Sequence, residues 1–273
     1  MAEILRLESS PLTYRIIGQE DIDQLYAIYP DLPRNCNFGC PSCGKDNGNM
    51  RDGYVILNGV TYQCNCQDQL QRHKHYLNAG IGMAYQTLSW ADYHGDPSAL
   101  TAINEYREKL DANIESGKGL MLFGGYGVGK SMLCYLVLKE CVMAGYKCFA
   151  TTYADMLASM KAGWKDPQFA QWYKSKVDSA QVLMLDDVGK ELFGASGHND
   201  DFAKQTLDSL FRTRVQQSRP TFITTNLNTT NLREIYGEAF FSLMTESMSP
   251  ILVNGFDYRG AVKTQGKGAR RIY

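Results

Sequence analysis

Hydrophobic and polar positions follow one rhythm over the first third of this chain and another over the rest. From about Ala99 onward, stretches with helical spacing alternate with short apolar runs. The order is a helix from about Ala99 to Glu115, strand "GLMLFG", helix "KSMLCYLVLKECVMAG", strand "KCFATT", then helices "YADMLASMKAG" and "DPQFAQWYKSKV". Strand "AQVLMLDD", helix "DDFAKQTLDSLFRTRVQQ", strand "PTFITTN", helix "TNLREIYG" and a last apolar run "SPILVNG" follow. Strands that alternate with helices predict an α/β fold with a parallel sheet flanked by helices on both faces. The first third reads differently. "GQEDIDQLYAIYP" places Ile22, Leu25, Tyr26 and Tyr29 on one helical face and ends at Pro30. "GYVILNGVTYQC" has two β-rich runs around Asn58-Gly59, residues that tolerate the positive φ of a tight hairpin. A polar helix over Gln67–Leu77 then leads into a Gly-, Asp- and Pro-containing connector, "NAGIGMAYQTLSWADYHGDPS". These shifts predict a small domain over 1–80, a larger one over 81–260 and a basic tail over 261–273.

Composition narrows the class. The chain has 273 residues, 44% of them apolar and 21% charged, with a formal net charge of −1, as in ordinary globular proteins. No global basic field points to nucleic acid, so any such contact has to be local. The N-terminus lacks a charged start followed by an apolar run, and no window approaches the roughly 20 apolar residues of a membrane span. A cytoplasmic protein with no membrane association is predicted.

Three stretches carry phosphate chemistry. Gly124, Gly125, Tyr126, Gly127, Val128, Gly129, Lys130 and Ser131 spell GxxxxGK[ST], follow an apolar strand and run through Met132 into a long helix. Backbone N–H groups of such a loop curl around phosphates, and the helix N-terminus adds partial positive charge. Lys130 reaches the phosphates and Ser131 offers its hydroxyl to Mg²⁺. Further on, "VLMLDD" ends a buried strand in two carboxylates. Asp186 is the candidate magnesium ligand, and Asp187 the candidate that polarises an attacking water. Aspartate is about one methylene shorter than glutamate, so any hydrolysis it supports is expected to be slow or partner-dependent. One strand later, "RPTFITTNL" places the Asn226 amide at a strand tip, suited to orient water or touch the γ-phosphate.

The eight cysteines divide five and three. Cys134, Cys141 and Cys148 recur every seven residues, and the first two share a helix face with Leu133, Val137 and Leu138, so they read as core packing. Cys36, Cys40, Cys43, Cys64 and Cys66 cluster, and without a secretion signal clustered pairs favour metal over disulfides. CxxxCxxC alone permits a three-cysteine iron–sulfur site, but that chemistry wants a barrel and the rest of the chain is a P-loop pattern. CxxC and CxC supply the four thiolates of a structural Zn²⁺ site at Cys40, Cys43, Cys64 and Cys66. Cys36 is left spare, able to replace one ligand or lie free, and His73 and His75 on a polar helix read as solvent-facing rather than as ligands.

Together "YQCNCQDQLQRHKHYLNAGIGMAYQTLSWADY", "FGGYGVGKSML", "TTYADMLASMK", "VLMLDDVGKE", "RPTFITTNL" and "GFDYRG" resemble the DnaC-type replicative helicase loaders, especially phage and prophage forms with an N-terminal cysteine module. IstB transposition ATPases are similar over the ATPase part. The resemblance implies an AAA+ P-loop ATPase core preceded by a zinc-ribbon-like domain that grips a hexameric replicative helicase. It also implies ATP, Mg²⁺ and Zn²⁺ as cofactors, single-stranded DNA as a partner, and self-association through the AAA+ domain. It makes Lys130 and Ser131 Walker A, Asp186 and Asp187 Walker B, Asn226 sensor I and Arg259 sensor II. Leu243 stands where similar proteins carry an arginine finger, whose loss argues against self-stimulated hydrolysis and an active homo-oligomer; Arg212 and Arg214 are candidate substitutes, with a solvated helix face the favoured reading of both. Candidate DNA contacts are Lys161, Trp164, Lys165, Trp172, Tyr173, Lys174 and Lys176, where charge tracks phosphate and aromatics stack on bases; amphipathic packing of those aromatics is the equal alternative. A loader is the leading expectation. A transposition ATPase and an ATP-clamped helicase inhibitor are the alternatives, and a P-loop kinase has no use for Asn226.

Overall fold

A computed structural model describes residues 50–51, 54–57, 60–63, 75–86, 88–162, 166–190 and 200–257. The chain divides into two compact units, Met1–Gln86 and Thr87–Tyr273. In the first, β1 (Met50–Arg51), β2 (Tyr54–Leu57) and β3 (Val60–Gln63) form an antiparallel sheet in that order. Leu57 faces Val60, so a two-residue connection joins β2 to β3, as Asn58-Gly59 predicts. A helical turn at 75–78 and α1 (Met83–Gln86) follow. The zinc candidates Cys40, Cys43, Cys64 and Cys66, together with Cys36 and His73, lie outside the described residues. His75 is half-buried, and burial lowers its pKa.

The second unit is built on five parallel strands: β4 (Gly119–Phe123), β5 (Cys148–Thr152), β6 (Val182–Val188), β7 (Thr221–Thr225) and β8 (Met248–Leu252). Their spatial order is β5-β6-β7-β4-β8, which places the first strand in sequence between the fourth and the last. Every residue of β7 is buried, and β4 and β6 are buried at all but one position each, as central strands covered on both faces must be.

Two helical layers cover the sheet. On one face lie α2 (Pro97–Glu108) and α4 (Lys130–Met143), with Tyr106 meeting Phe222 edge-to-face at 5.9 Å. Helix α4 is apolar nearly all round and buries nine of its residues, Cys134 and Cys141 among them. It ends in a Schellman motif: Gly145 at φ 91° lets its own N–H reach Val142 O and that of Tyr146 reach Cys141 O. The other face packs α5 (Tyr153–Ala162), α6 (Pro167–Ser179), α7 (Asp200–Gln216), α8 (Thr229–Tyr236) and α9 (Glu238–Ser247) around Leu183, Leu185 and Ile223. Among the described residues no helix is long and apolar enough to cross a membrane.

The single helix expected over 99–115 is instead two, α2 and α3 (Leu110–Glu115), broken at Lys109. Lys109 N–H turns back to Tyr106 O, and the Asn113 side-chain amide takes the same carbonyl at 3.0 Å. Part of the expected connector is also fixed. Trp90 donates its indole N–H to Glu140 at 2.8 Å and lies under the Arg107 guanidinium, which itself pairs with Glu140. This ties the chain entering the second unit to α4.

Arg214 joins the N-terminal ends of β6 and β7. It is 2% exposed and donates to the carbonyls of Ala180, Gln181 and Pro220 and to Thr221 Oγ1, at 2.9–3.0 Å. Burial, with a smaller push from Arg219, lowers its pKa to about 10. Removing this guanidinium strands buried acceptors between β6 and β7. Arg214→Met is expected to lower the free energy of urea unfolding by about 2–4 kcal/mol. The exposed neighbour Arg212→Met should change it by less than about 0.5 kcal/mol.

Candidate nucleotide site

The C-terminal ends of β4, β6 and β7 lie side by side, so their loops converge on one edge. After β4 the chain passes through Gly124–Gly129 into α4. Gly127 and Gly129 hold φ of 70° and 95°, which L side chains rarely adopt. Each is also crowded: a Cβ on Gly129 would come within 3.0 Å of the Tyr93 ring, and one on Gly127 within 1.8 Å of an Asp257 carboxylate oxygen. Val128 anchors the loop in the core, while Tyr126 at its tip is 64% exposed. Met132, half-buried, lies in the first turn of α4.

Lys130 opens α4 and is 5% exposed. Its ammonium donates to Gly124 O at 3.0 Å, Gly125 O at 2.5 Å and Asn226 Oδ1 at 2.7 Å. The P-loop lysine and the strand-tip amide, 96 positions apart, therefore share one point. Ser131 Oγ donates to Asp186 Oδ1 at 2.8 Å, and Thr224 Oγ1 donates to the same oxygen. Asp186 is 7% exposed. Burial raises its pKa, with a smaller push from Asp187, while the bonds from Thr224 and Ser131 oppose the rise. Asp187 follows at φ 57°; its N–H donates to Thr224 Oγ1 at 2.9 Å, and its carboxylate pairs with Lys190 at 3.5 Å.

This donor set fits a magnesium-bound polyphosphate. Positive φ at two glycines turns the loop around its own centre, and the ammonium already collects three oxygens there. The first turn of α4 contributes N–H groups without intrahelical partners. The Ser131 hydroxyl and Asp186 carboxylate, in contact, are the hard oxygen donors that Mg²⁺ selects.

Other candidates fare variously. Arg259 lies outside the described residues, which end at Asp257. Leu243 packs against the core below α9, as an apolar side chain there would. Arg214 cannot act as a finger, because its guanidinium is committed inside the sheet edge; Arg212 lies on the exposed side of α7 with both oxygens of Asp208 at 2.9 Å. Of the two readings of Tyr173, the structure shows packing: it is 8% exposed, bonds Thr151 at 2.6 Å and meets Phe149 edge-on. Lys174 pairs with Asp178. Trp172 and Phe169 remain exposed on α6, with Lys176 over the Trp172 ring and Lys161 over that of Phe202. Trp164 and Lys165 lie outside the described residues. Sequence reasoning missed Thr224, whose signal is a hydroxyl inside the apolar run "TFITT".

The family profile described as IstB-like ATP binding protein matches residues 62–250. The chain is 25% identical over 233 residues to the replicative helicase loader DnaI of Bacillus subtilis, spanning 79% of this chain and 71% of that protein. It is 23% identical over 199 residues to the replicative helicase loader DnaC of Escherichia coli K12, spanning 71% and 78%. A crystal structure of the DnaC helicase loader superposes with a TM-score of 0.54 at 23% identity, covering 63% of this chain and all of that one. Domain III of the Thermotoga maritima replication initiation protein DnaA gives a TM-score of 0.51 at 15% identity, covering 63% and 68%. The structural likeness is one of fold: an AAA+ P-loop core.

The raised pKa of Asp186 fixes a sign. A carboxyl that holds its proton more tightly folded than unfolded makes ionisation costly, so the penalty stands at neutral pH and fades as pH falls through the raised value. Without nucleotide, Asp186→Asn should unfold at a higher temperature than the parent at neutral pH, with the gap closing in acid. The thermal shift that ATP and Mg²⁺ give the parent should disappear in this variant. A lower midpoint for Asp186→Asn at neutral pH would contradict the assignment.

Proposed function

The chain belongs to the IstB-like ATP binding protein family, and on that premise we propose that it is an ATP-dependent replication factor that binds a hexameric replicative helicase and loads it onto single-stranded DNA. One observation carries the ATPase part: Lys130 and Asn226 meet at the P-loop, beside the hydroxyl-held Asp186. In this reading Lys130 neutralises phosphate charge, and Ser131 and Asp186 hold Mg²⁺. Asn226 and Asp187 orient the attacking water, and Arg259 is the sensor II candidate that the resemblance implies. Bound Mg²⁺ supplies charge neutralisation between phosphates. Likeness to DnaI and DnaC supports the helicase as partner. The exposed aromatics of α6, with Lys176 over the Trp172 ring, support single-stranded DNA, and the proposal includes assembly through the AAA+ core in the bacterial cytoplasm.

A second reading has its own support. Asp187 is engaged by Lys190, and Leu243 replaces the expected finger, so nucleotide can serve as a clamp in a protein that holds a helicase without turning ATP over. A mixture with a replicative helicase, ATP and a closed single-stranded circle separates the two. Loading predicts helicase on the circle and DNA- and helicase-stimulated ATP turnover, both lost in Lys130→Ala. A stable helicase complex with no turnover and no loading selects the clamp.

Residues 1–80 form the helicase-facing module in this proposal, stapled by Zn²⁺ at Cys40, Cys43, Cys64 and Cys66. The support is the pairing of CxxC with CxC, the second beginning one residue after β3 ends at Gln63. A segment this short has little core, so the metal supplies folding energy. Elemental analysis of natively purified protein should give one zinc per chain, lost together with helicase binding in Cys43→Ser. Iron, or no metal, overturns the assignment.

A further inference from the structure

Two acidic residues sit at a break in the sheet. β6 and β7 run in register through Leu185↔Ile223 and resume at Val188↔Thr225, so three steps along β6 match two along β7. Asp186 and Asp187 occupy this bulge, and Thr224 is the residue of β7 opposite it. A bulge interrupts ladder hydrogen bonds and re-aims side chains. Here Asp187 N–H, in left-handed backbone at φ 57°, donates to the Thr224 side chain at 2.9 Å.

The same hydroxyl faces the other acid. A threonine Oγ has one proton and two lone pairs. With the Asp187 N–H occupying a lone pair, the proton is directed to Asp186 Oδ1, where Ser131 also donates. Thr224 is 0% exposed, and its β-branch restricts χ1, so the hydroxyl has little freedom to turn away. We propose that Thr224 is a positioning residue of the nucleotide site: its single hydroxyl fixes the Asp186 carboxylate for the metal and pins the backbone that aims Asp187. This rests on the ATP and Mg²⁺ reading above. The neighbouring Thr225 offers a matched contrast. It is equally buried, but its hydroxyl donates to Val188 O at 2.7 Å and accepts from Leu227 N–H, touching neither acid.

The test is a Mg²⁺ titration of fluorescent ATP-analogue binding, with steady-state turnover measured alongside. Thr224→Val should weaken the apparent Mg²⁺ affinity by about 10–100-fold, the usual effect of losing an outer-shell partner, while binding of the analogue in chelator stays at the parental level. At saturating Mg²⁺ the remaining defect should lie in kcat rather than KM. Thr224→Ser should recover most of the loss, and Thr225→Val should keep the parental Mg²⁺ dependence even where it unfolds at lower temperature. Thr224→Ala, which also lacks the hydroxyl, is carried in parallel and reads the same quantity if the valine variant does not fold. Parental Mg²⁺ dependence in both hydroxyl-free variants, or an equal shift in Thr225→Val, overturns the role of Thr224 alone. A parent protein that binds no nucleotide overturns the ATP reading as well.

Discussion

A carboxylate that must stay ionised inside a dry sheet dictates the arrangement at this edge. Asp186 is 7% exposed at the end of a strand whose preceding residues are all apolar and buried. Burial leaves it little contact with solvent, and two protein hydroxyls donate to it: Ser131 from the P-loop helix and Thr224 from the adjacent strand. Each of those residues is held for its own reason, Ser131 by the glycine turn that starts α4, Thr224 by its pairing with Leu122 of β4 opposite the bulge in β6. The acid thereby locks three separate chain segments into one site. The same burial makes the position costly to the resting fold, which is common where function requires a charge.

Strand order is what brings these segments together. With β7 between β6 and β4, the loop after β4, the acidic end of β6 and the amide at the end of β7 become neighbours, although Lys130 and Asn226 are 96 positions apart. Parallel pairing also points all three strand ends the same way. Helices on both faces keep that edge open while sealing the sheet. At the opposite, N-terminal rim, Arg214 supplies donors to the carbonyls of Ala180, Gln181 and Pro220, which lead into β6 and β7.

Much of this was legible in the sequence. GxxxxGKS after an apolar run and before a long apolar helix fixes the loop, its lysine and its serine, because few backbone paths let one loop wrap a phosphate. "LDD" and "TTN" at strand ends could be read because parallel strands put their C-terminal tips on one edge. Other features depend on tertiary contacts with no local signature. The break at Lys109 comes from an Asn113 amide reaching back to Tyr106 O. Tyr173 and Arg214 look exposed by residue type, yet both are core residues, one through a ring contact on Phe149 and the other through carbonyls supplied by two strands. Thr224 was hidden for the opposite reason: a threonine in a β run reads as ordinary strand composition.

The most direct measurement of the site is a crystal structure of the protein with Mg²⁺ and a non-hydrolysable ATP analogue. The expected result is nucleotide phosphate inside the Gly124–Gly129 loop, with the Lys130 ammonium moved from the Gly124 and Gly125 carbonyls onto phosphate oxygens and the metal between Ser131 and Asp186. Nucleotide bound elsewhere, or Lys130 still bonded to the loop carbonyls with phosphate present, would contradict it.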